Sequence, residues 1–387
     1  MNKKLPITVG VICMLGLVGY LIYSKSSKVE LQGEVKIAVN IPLTGPVAAF
    51  SGQYVNGLNM GIDQACKELG IDRRLFAIDA QDNQGEPQIA ATIAQKQVAS
   101  GFDVYISGVS QMTRAVAPIV DDACDIHFMV SYDAHLAEQH QKRVRILPHF
   151  KAEGPAYAQY AISRKAKRVL AFTLNNPEIQ GQFSEFVQPV LEKAGIEFTR
   201  EIYEFGHNDF RSLALKAKFA KPDVILVSGF SLHVAPILDA LRSESLISDG
   251  NVLCIMDFNE LLTDKESYQR YQDVAYIAPP FSFPDNAERR QAWSTDFEKK
   301  FGIAPNFLPA FAYDTGRMIV ISHSKSMVVS PETITKLTPF PGVAGEITVD
   351  ASGDLSTPLG ILKVKANGTL ERIPLNNAES AIFKKAG

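Results

Sequence analysis

The stretch Val35 to Gly70, VKIAVNIPLTGPVAAFSGQYVNGLNMGIDQACKELG, decides the fold. Val35, Ile37, Val39 and Ile41 alternate with Lys36, Ala38 and Asn40, the period-two pattern of a buried strand. Pro42 and the turn Thr44-Gly45-Pro46 end it. Phe50, Tyr54, Leu58 and Ile62 then recur every four residues, which predicts a long helix. Gly57 and Gly61 lie on neighbouring turns and allow that helix a close approach to the sheet. In such a unit the loop and the helix N-terminus face one side, where free N–H groups suit a carboxylate or another anion.

The alternation continues along the chain. Phe76 to Ala80, Val104 to Ile106 and Phe128 to Val130 read as strands, with helices starting near Pro87 and running through Val116 and Val120. After Pro148 the pattern restarts. A helix is expected from about Pro155 to Ala166, with strands at Val169–Phe172, Val224–Val227 and Val252–Ile255. Residues 286–302 and 309–323 read as helices, and Gly345 to Ile373 as a strand-rich end. This predicts an α/β fold of two Rossmann-like lobes with mainly parallel sheets.

The 387 residues suffice for two ordinary cores. A net charge of -3 and the lack of a long basic run exclude a nucleic-acid partner from the reading; Arg164 to Arg168 looks like a solvated turn. Lys3 and Lys4 precede Leu5 to Tyr23, which carries no charge and matches the ~20 residues needed to cross a bilayer. It reads as an uncleaved signal anchor, a transmembrane helix holding the body to the membrane. Removal as a signal peptide, with Ser24 and Ser26 near the cut, is the alternative. Cys66, Cys124 and Cys254 fit no metal motif and read as buried thiols. His127, His135 and His140 do not share a helical face, so no metal is expected. Neither a P-loop nor a GxGxxG pattern is present, no cofactor is expected, and no nucleophile–base arrangement can be assembled, so the chain does not read as an enzyme.

IPLTGPVAAFSGQYVNGLNMGID resembles the opening of the branched-chain amino-acid (Leu/Ile/Val) binding proteins, type I periplasmic solute-binding proteins of ABC transporters. Asp82-Asn83, Gly108-Val109-Ser110, Ala115 to Pro118, Ala312-Tyr313-Asp314 and Gly342 to Gly345 resemble the same family in the same order. The resemblance covers roughly residues 33 to 375. It implies a signal segment at 1–28, a first lobe of 29–147 plus 277–348, a second lobe of 148–276 plus 349–375, and a tail of 376–387. It implies hinge closure on a small polar solute, an amino acid or a small carboxylate or amide, outside the cytoplasmic membrane. The partner implied is an ABC permease, or alternatively a membrane receptor or kinase that senses the ligand. A disulfide seen in some relatives would need cysteines where Gln84 and Val109 stand, so that bridge is not expected.

The resemblance also implies a site. Ser110 would present its hydroxyl and N–H to a ligand carboxylate, with capping of the next helix as its ordinary role. Relatives follow the fourth strand with Ser-Pro, a small residue and Ala-Thr; here Ser131-Tyr132-Asp133-Ala134-His135 stands there, placing Asp133, Ala134 and His135 at the carboxylate. Asp133 would repel it. Phe50, Phe230 and Tyr313 would line the cleft. Asp257 would pair with a ligand ammonium, its ordinary role being a helix cap. A second acidic ligand expected near Phe150-Lys151 is missing, and Lys151 would there favour an additional anionic group.

Overall fold

The computed structural model describes residues 33–45, 47–133 and 135–375. The proposed anchor Leu5 to Tyr23 and the tail 376–387 lie outside the described residues. Among the described residues no helix is long and apolar enough to cross a membrane.

Ten strands of the two lobes come first: β1 Val35–Ile41, β2 Phe76–Asp82, β3 Val104–Gly108, β4 Ile126–Val130, β5 Arg143–Arg145, β6 Arg168–Leu174, β7 Glu197–Tyr203, β8 Val224–Ser228, β9 Val252–Cys254 and β10 Val274–Ala278. The first sheet is parallel throughout, in the order β2-β1-β3-β4-β5. Strands β11 Phe340–Pro341, β12 Glu346–Val349 and β13 Leu355–Ser356 form a small antiparallel sheet. With β14 Gly360–Val364 and β15 Leu370–Ile373, the second sheet runs β15-β14-β10-β9-β8-β6-β7. It therefore keeps the chain to Ala278 and takes it back at Gly360. Strands β3, β4, β8, β9 and β10 are buried from end to end, so they read as continuous apolar runs with helices covering both faces.

The helix Tyr54–Leu69 does pack closely, but against another helix rather than the sheet. A Cβ on Gly57 would overlap the carbonyl oxygen of Pro309, one on Gly61 that of Tyr313, and one on Gly316 that of Leu58. The partner is Phe307–Ser326, the most buried helix of the first lobe. Asp314 on it is fully buried and accepts from the N–H groups of Val343 (2.9 Å) and Ala344 (2.8 Å). Both sequence pieces, Ala312-Tyr313-Asp314 and Gly342 to Gly345, thus meet at one structural joint.

The helix expected from Pro155 begins at Phe150 instead and ends at Ser163. His149 caps it, its ring accepting from the Lys151 N–H at 3.1 Å. Pro155 sits within the helix, not at its start. Cys66, Cys124 and Cys254 are buried free thiols.

Gly61→Ala should cost about 1–3 kcal/mol or more, because the facing backbone carbonyl cannot move aside as a side chain can. The gain of about 1 kcal/mol in helix propensity works against this loss. Gly206, with open space around it, is the control, and Gly206→Ala should stay within about 0.5 kcal/mol. Urea unfolding of both variants measures the difference.

Candidate functional site

The parallel strands of both sheets point their carboxyl ends at one cavity of about 380 Å³ between the lobes. Val47, Gln84, Ser110 and Tyr132 reach it from the loops after β1, β2, β3 and β4. Glu178, Phe205, Phe230 and Asp257 reach it from the loops after β6, β7, β8 and β9. Phe150, Glu153 and Gln182 come from the helical segments behind.

Ser110 opens the helix Ser110–Val120. Val109 before it has φ 65, a conformation that a β-branched residue adopts only at a cost of about 1–3 kcal/mol. Its N–H donates to the Val130 carbonyl (2.9 Å), which fixes the turn and puts the helix N-terminus at the cavity wall. The Ser131 hydroxyl donates to the Ser110 hydroxyl oxygen at 3.0 Å. Free N–H groups of the first turn and one hydroxyl suit an anion here.

Asp257 lies opposite, in the short turn Met256–Leu261, and is 2% exposed. The Tyr132 hydroxyl crosses the cleft and donates to its Oδ1 at 2.5 Å. Burial pushes the Asp257 carboxyl up from the ordinary carboxylate range, against the Tyr132 hydrogen bond. Glu153 is 1% exposed, and burial followed by the nearby Asp257 charge pushes it up to about 8. Glu260, which accepts from the Ser231 hydroxyl at 2.7 Å, is raised by burial and by Asp257. Among the described residues no Lys, Arg or His side chain pairs with Asp257, Glu153 or Glu260.

Of the residues singled out in the sequence, the structure brings Ser110, Phe230 and Asp257 together around the cavity. Asp133 lies off it, salt-bridged to Arg114 at 2.5 Å, and its other oxygen accepts from the His135 N–H at 3.0 Å. His135 starts a short helix, with its ring 6.0 Å from that of Phe150, and does not line the cavity. Tyr313 packs in the core of the first lobe against Trp293 at 5.7 Å, also off the cavity. Phe50 lies in the helix Ala48–Ser51. Ala134 falls outside the described residues. Lys151 does not supply an anion site: its Nζ meets Glu138 at 3.3 Å, and the neighbouring acid Glu153 lines the cavity instead. Arg114 also pairs with Glu178 of the second lobe, so a second contact ties the lobes together.

One arrangement escaped the sequence. Ser107 Oγ lies 2.8 Å from His127 Nε2, and His127 Nδ1 lies 2.8 Å from Asp121 Oδ1. The order is that of a hydrolase triad. All three are buried, none lines the cavity, and Arg143 shares the Asp121 carboxylate at 2.7 Å. The network ties strands β3 and β4 to the end of the helix Ser110–Val120 within the first lobe. Among the described residues no cluster of His, Cys, Asp or Glu could hold a metal ion.

A family model described as periplasmic binding protein matches residues 34–369. A Leu/Ile/Val-binding protein of Rhizobium johnstonii is 26% identical over 60% of this chain and 65% of its own length. The substrate-binding protein of a Streptococcus pneumoniae branched-chain amino acid transporter, solved with isoleucine, superposes with a TM-score of 0.74 at 18% identity, over 88% of this chain and 99% of that one. A Rhodopseudomonas palustris solute-binding protein of an ABC transporter, solved with 3,4-dihydroxybenzoic acid, also gives 0.74, at 17% identity over 88% and 96%. The match across nearly the whole described body, and a cavity set where two sheets end, agree: the chain belongs to the periplasmic binding protein family.

Proposed function

We propose that the chain is an extracytoplasmic solute-binding protein that closes its lobes over an amino acid or close analogue and delivers it to an ABC permease. The observation that carries this is the polarity of the cavity. Ser110 and a helix N-terminus offer hydrogen-bond donors on one lobe, and the buried Asp257 carboxylate offers negative charge on the other. A zwitterion satisfies both ends only when the lobes are closed. The two relatives named for branched-chain amino acids support this reading, and they support transport rather than sensing.

A second reading is an aromatic acid. Phe150, Phe205 and Phe230 line the cavity, and the Rhodopseudomonas protein holds such a ligand. The buried acids weigh against it, since an aromatic acid brings no cation to meet them.

The segment Leu5 to Tyr23 is proposed to tether the body to the cytoplasmic membrane. The full-length protein should then stay in the membrane fraction through a carbonate wash. A soluble mature form beginning near Ser27 would overturn the tether.

With an amino acid that binds, Asp257→Asn should weaken affinity more than Ser110→Ala. An ammonium buried without its counter-charge costs about 3–5 kcal/mol, whereas one lost hydroxyl costs about 1–3 kcal/mol. Calorimetric titration of both variants decides it. If Asp257→Asn leaves affinity unchanged while benzoate binds, the aromatic-acid reading replaces this one.

Protons should be released on binding. Asp257, Glu153 and Glu260 are raised by burial, so near pH 6 the empty site holds protons that a cation displaces. Glu178 and Asp133, also near the cleft, both pair with Arg114. Affinity should therefore rise from pH 6 to pH 8, by up to about tenfold per unit for each proton released. The empty protein follows the opposite sign. Its folded-state carboxyls bind protons more tightly than the unfolded chain does, so stability falls as pH rises from about 4 to about 8. Titrations in buffers of different ionisation enthalpy count the protons, and thermal melts with and without ligand check the second sign.

A further inference from the structure

The residues lining the cavity include four acids, Glu86, Glu153, Glu178 and Asp257, and no Lys, Arg or His. One ammonium answers one of them. Two lining side chains keep a buried oxygen with no hydrogen-bond partner, Glu178 Oε2 and Gln182 Oε1, and Glu153 Oε1 has no side-chain partner, with only the Met256 backbone N–H acting on that carboxylate. All three residues are at least nine-tenths buried, at 1%, 6% and 1% exposure. The Gln182 amide nitrogen donates to Glu153 Oε2 at 3.1 Å and faces the Phe150 carbonyl oxygen at 3.5 Å, and since a carbonyl can only accept, the unpaired atom of the amide is its oxygen. Arg114 meets only the other oxygen of Glu178. No lining side chain has a buried donor left unpaired. Buried acceptors are rarely left empty, because each forfeits the hydrogen bonds it had in water. Apart from the backbone N–H groups at the Ser110 helix N-terminus, which suit the carboxylate end of a solute, every unmet side-chain demand in this cavity is thus for N–H donors and positive charge.

We infer that the solute carries a second cationic, multi-donor nitrogen group, a guanidinium or an alkylammonium, seated against Glu153, Glu178 and Gln182. This rests on the reading that a first amine meets Asp257. Basic amino acids and their diamine analogues have the required chemistry, and an aliphatic side chain does not. A guanidinium answers several acceptors at once through its planar fork, and an ammonium through three donors. Glu153 and Gln182 are already joined, so they form a preorganised acceptor face, and Glu178, whose charge is paired with Arg114, adds one further acceptor oxygen from the next helical turn.

The test is calorimetry on the full chain at pH 8 with L-arginine, L-lysine, cadaverine, L-leucine and benzoate. At least one basic probe should bind about 100-fold or more tighter than L-leucine, the effect of one or two charge-assisted hydrogen bonds. Leucine binding as tightly as all three basic probes overturns the inference and leaves the amino-acid reading standing. Benzoate binding alone overturns both. Failure of all three basic probes to bind also overturns the inference. The near-isosteric Glu153→Gln separates the second group from the first. It should lower the basic-to-leucine affinity ratio at least about tenfold. An unchanged ratio would mean that Glu153 does not read a second cation.

Discussion

The hydrogen bond from the Tyr132 hydroxyl to Asp257 is where the two lobes meet chemically. It gives a buried carboxylate one donor and no cation. That carboxylate is held well out of water, and burial raises its proton affinity. With no solute, the cleft can lower the cost in only two ways, by protonation or by borrowing the phenol from the other lobe. Either leaves room for improvement by a bound cation. On the proposed reading, solute binding and lobe closure would be coupled by this deficit, because the acid belongs to one lobe and the phenol to the other.

The frame around the cleft is held by close packing and by buried polar contacts. Gly57, Gly61 and Gly316 let two helices of the first lobe touch backbone to backbone, and Asp314 pins the loop at Val343 and Ala344 to one of them. The crossing between lobes is tied as well. Arg145, fully buried at the end of β5, is ion-paired with Asp354, and His149 at the head of the next helix lies 3.3 Å from the same carboxylate. The Arg145 N–H also donates to the Gly353 carbonyl at 2.8 Å. Burial and the neighbouring Arg145 charge push the His149 ring down to about 2, so it stays neutral and accepts from Lys151. The first crossing and the segment that precedes the last are thereby held as one joint. A buried ion pair adds little net stability, but it disfavours other geometries of the joint, because any that separates Arg145 from Asp354 strands a charge.

Periodicity made the fold legible. Strand β1 and the helix after it follow from alternation and from a four-residue repeat, and the restart after Pro148 announced the second sheet. The site was legible in part, and the reasons are local. Ser110, Phe230 and Asp257 follow directly on strand ends, where sequence position nearly fixes location. Glu153 was hidden because Pro155 looked like a helix start, whereas the cap is His149, a residue that seldom signals one. Asp133 and His135 follow a strand too, but Arg114, 19 residues before Asp133 and brought close only by the fold, draws Asp133 away from the cavity. The Ser107, His127 and Asp121 network joins two strands and a helix end, and no linear spacing encodes it.

The departures from the family pattern are not scattered. On the first lobe, Asp133, expected from the resemblance near the position of a small residue, has its charge spent on Arg114. Its neighbour Tyr132 fills the cleft side instead and reaches Asp257. On the second lobe the acids accumulate: Asp257 and Glu153 face the cavity, with Glu260 behind and Glu178 at the side. Such a shift weakens the grip on an anion and strengthens the demand for a cation, while the sheets that position both remain those of the fold. A scaffold shared with proteins that hold isoleucine or a dihydroxybenzoic acid can therefore serve another solute through a few loop and helix-end residues. On the proposed reading the change is one of electrostatics rather than shape, since a buried carboxylate discriminates by charge even where a pocket's volume would admit either ligand.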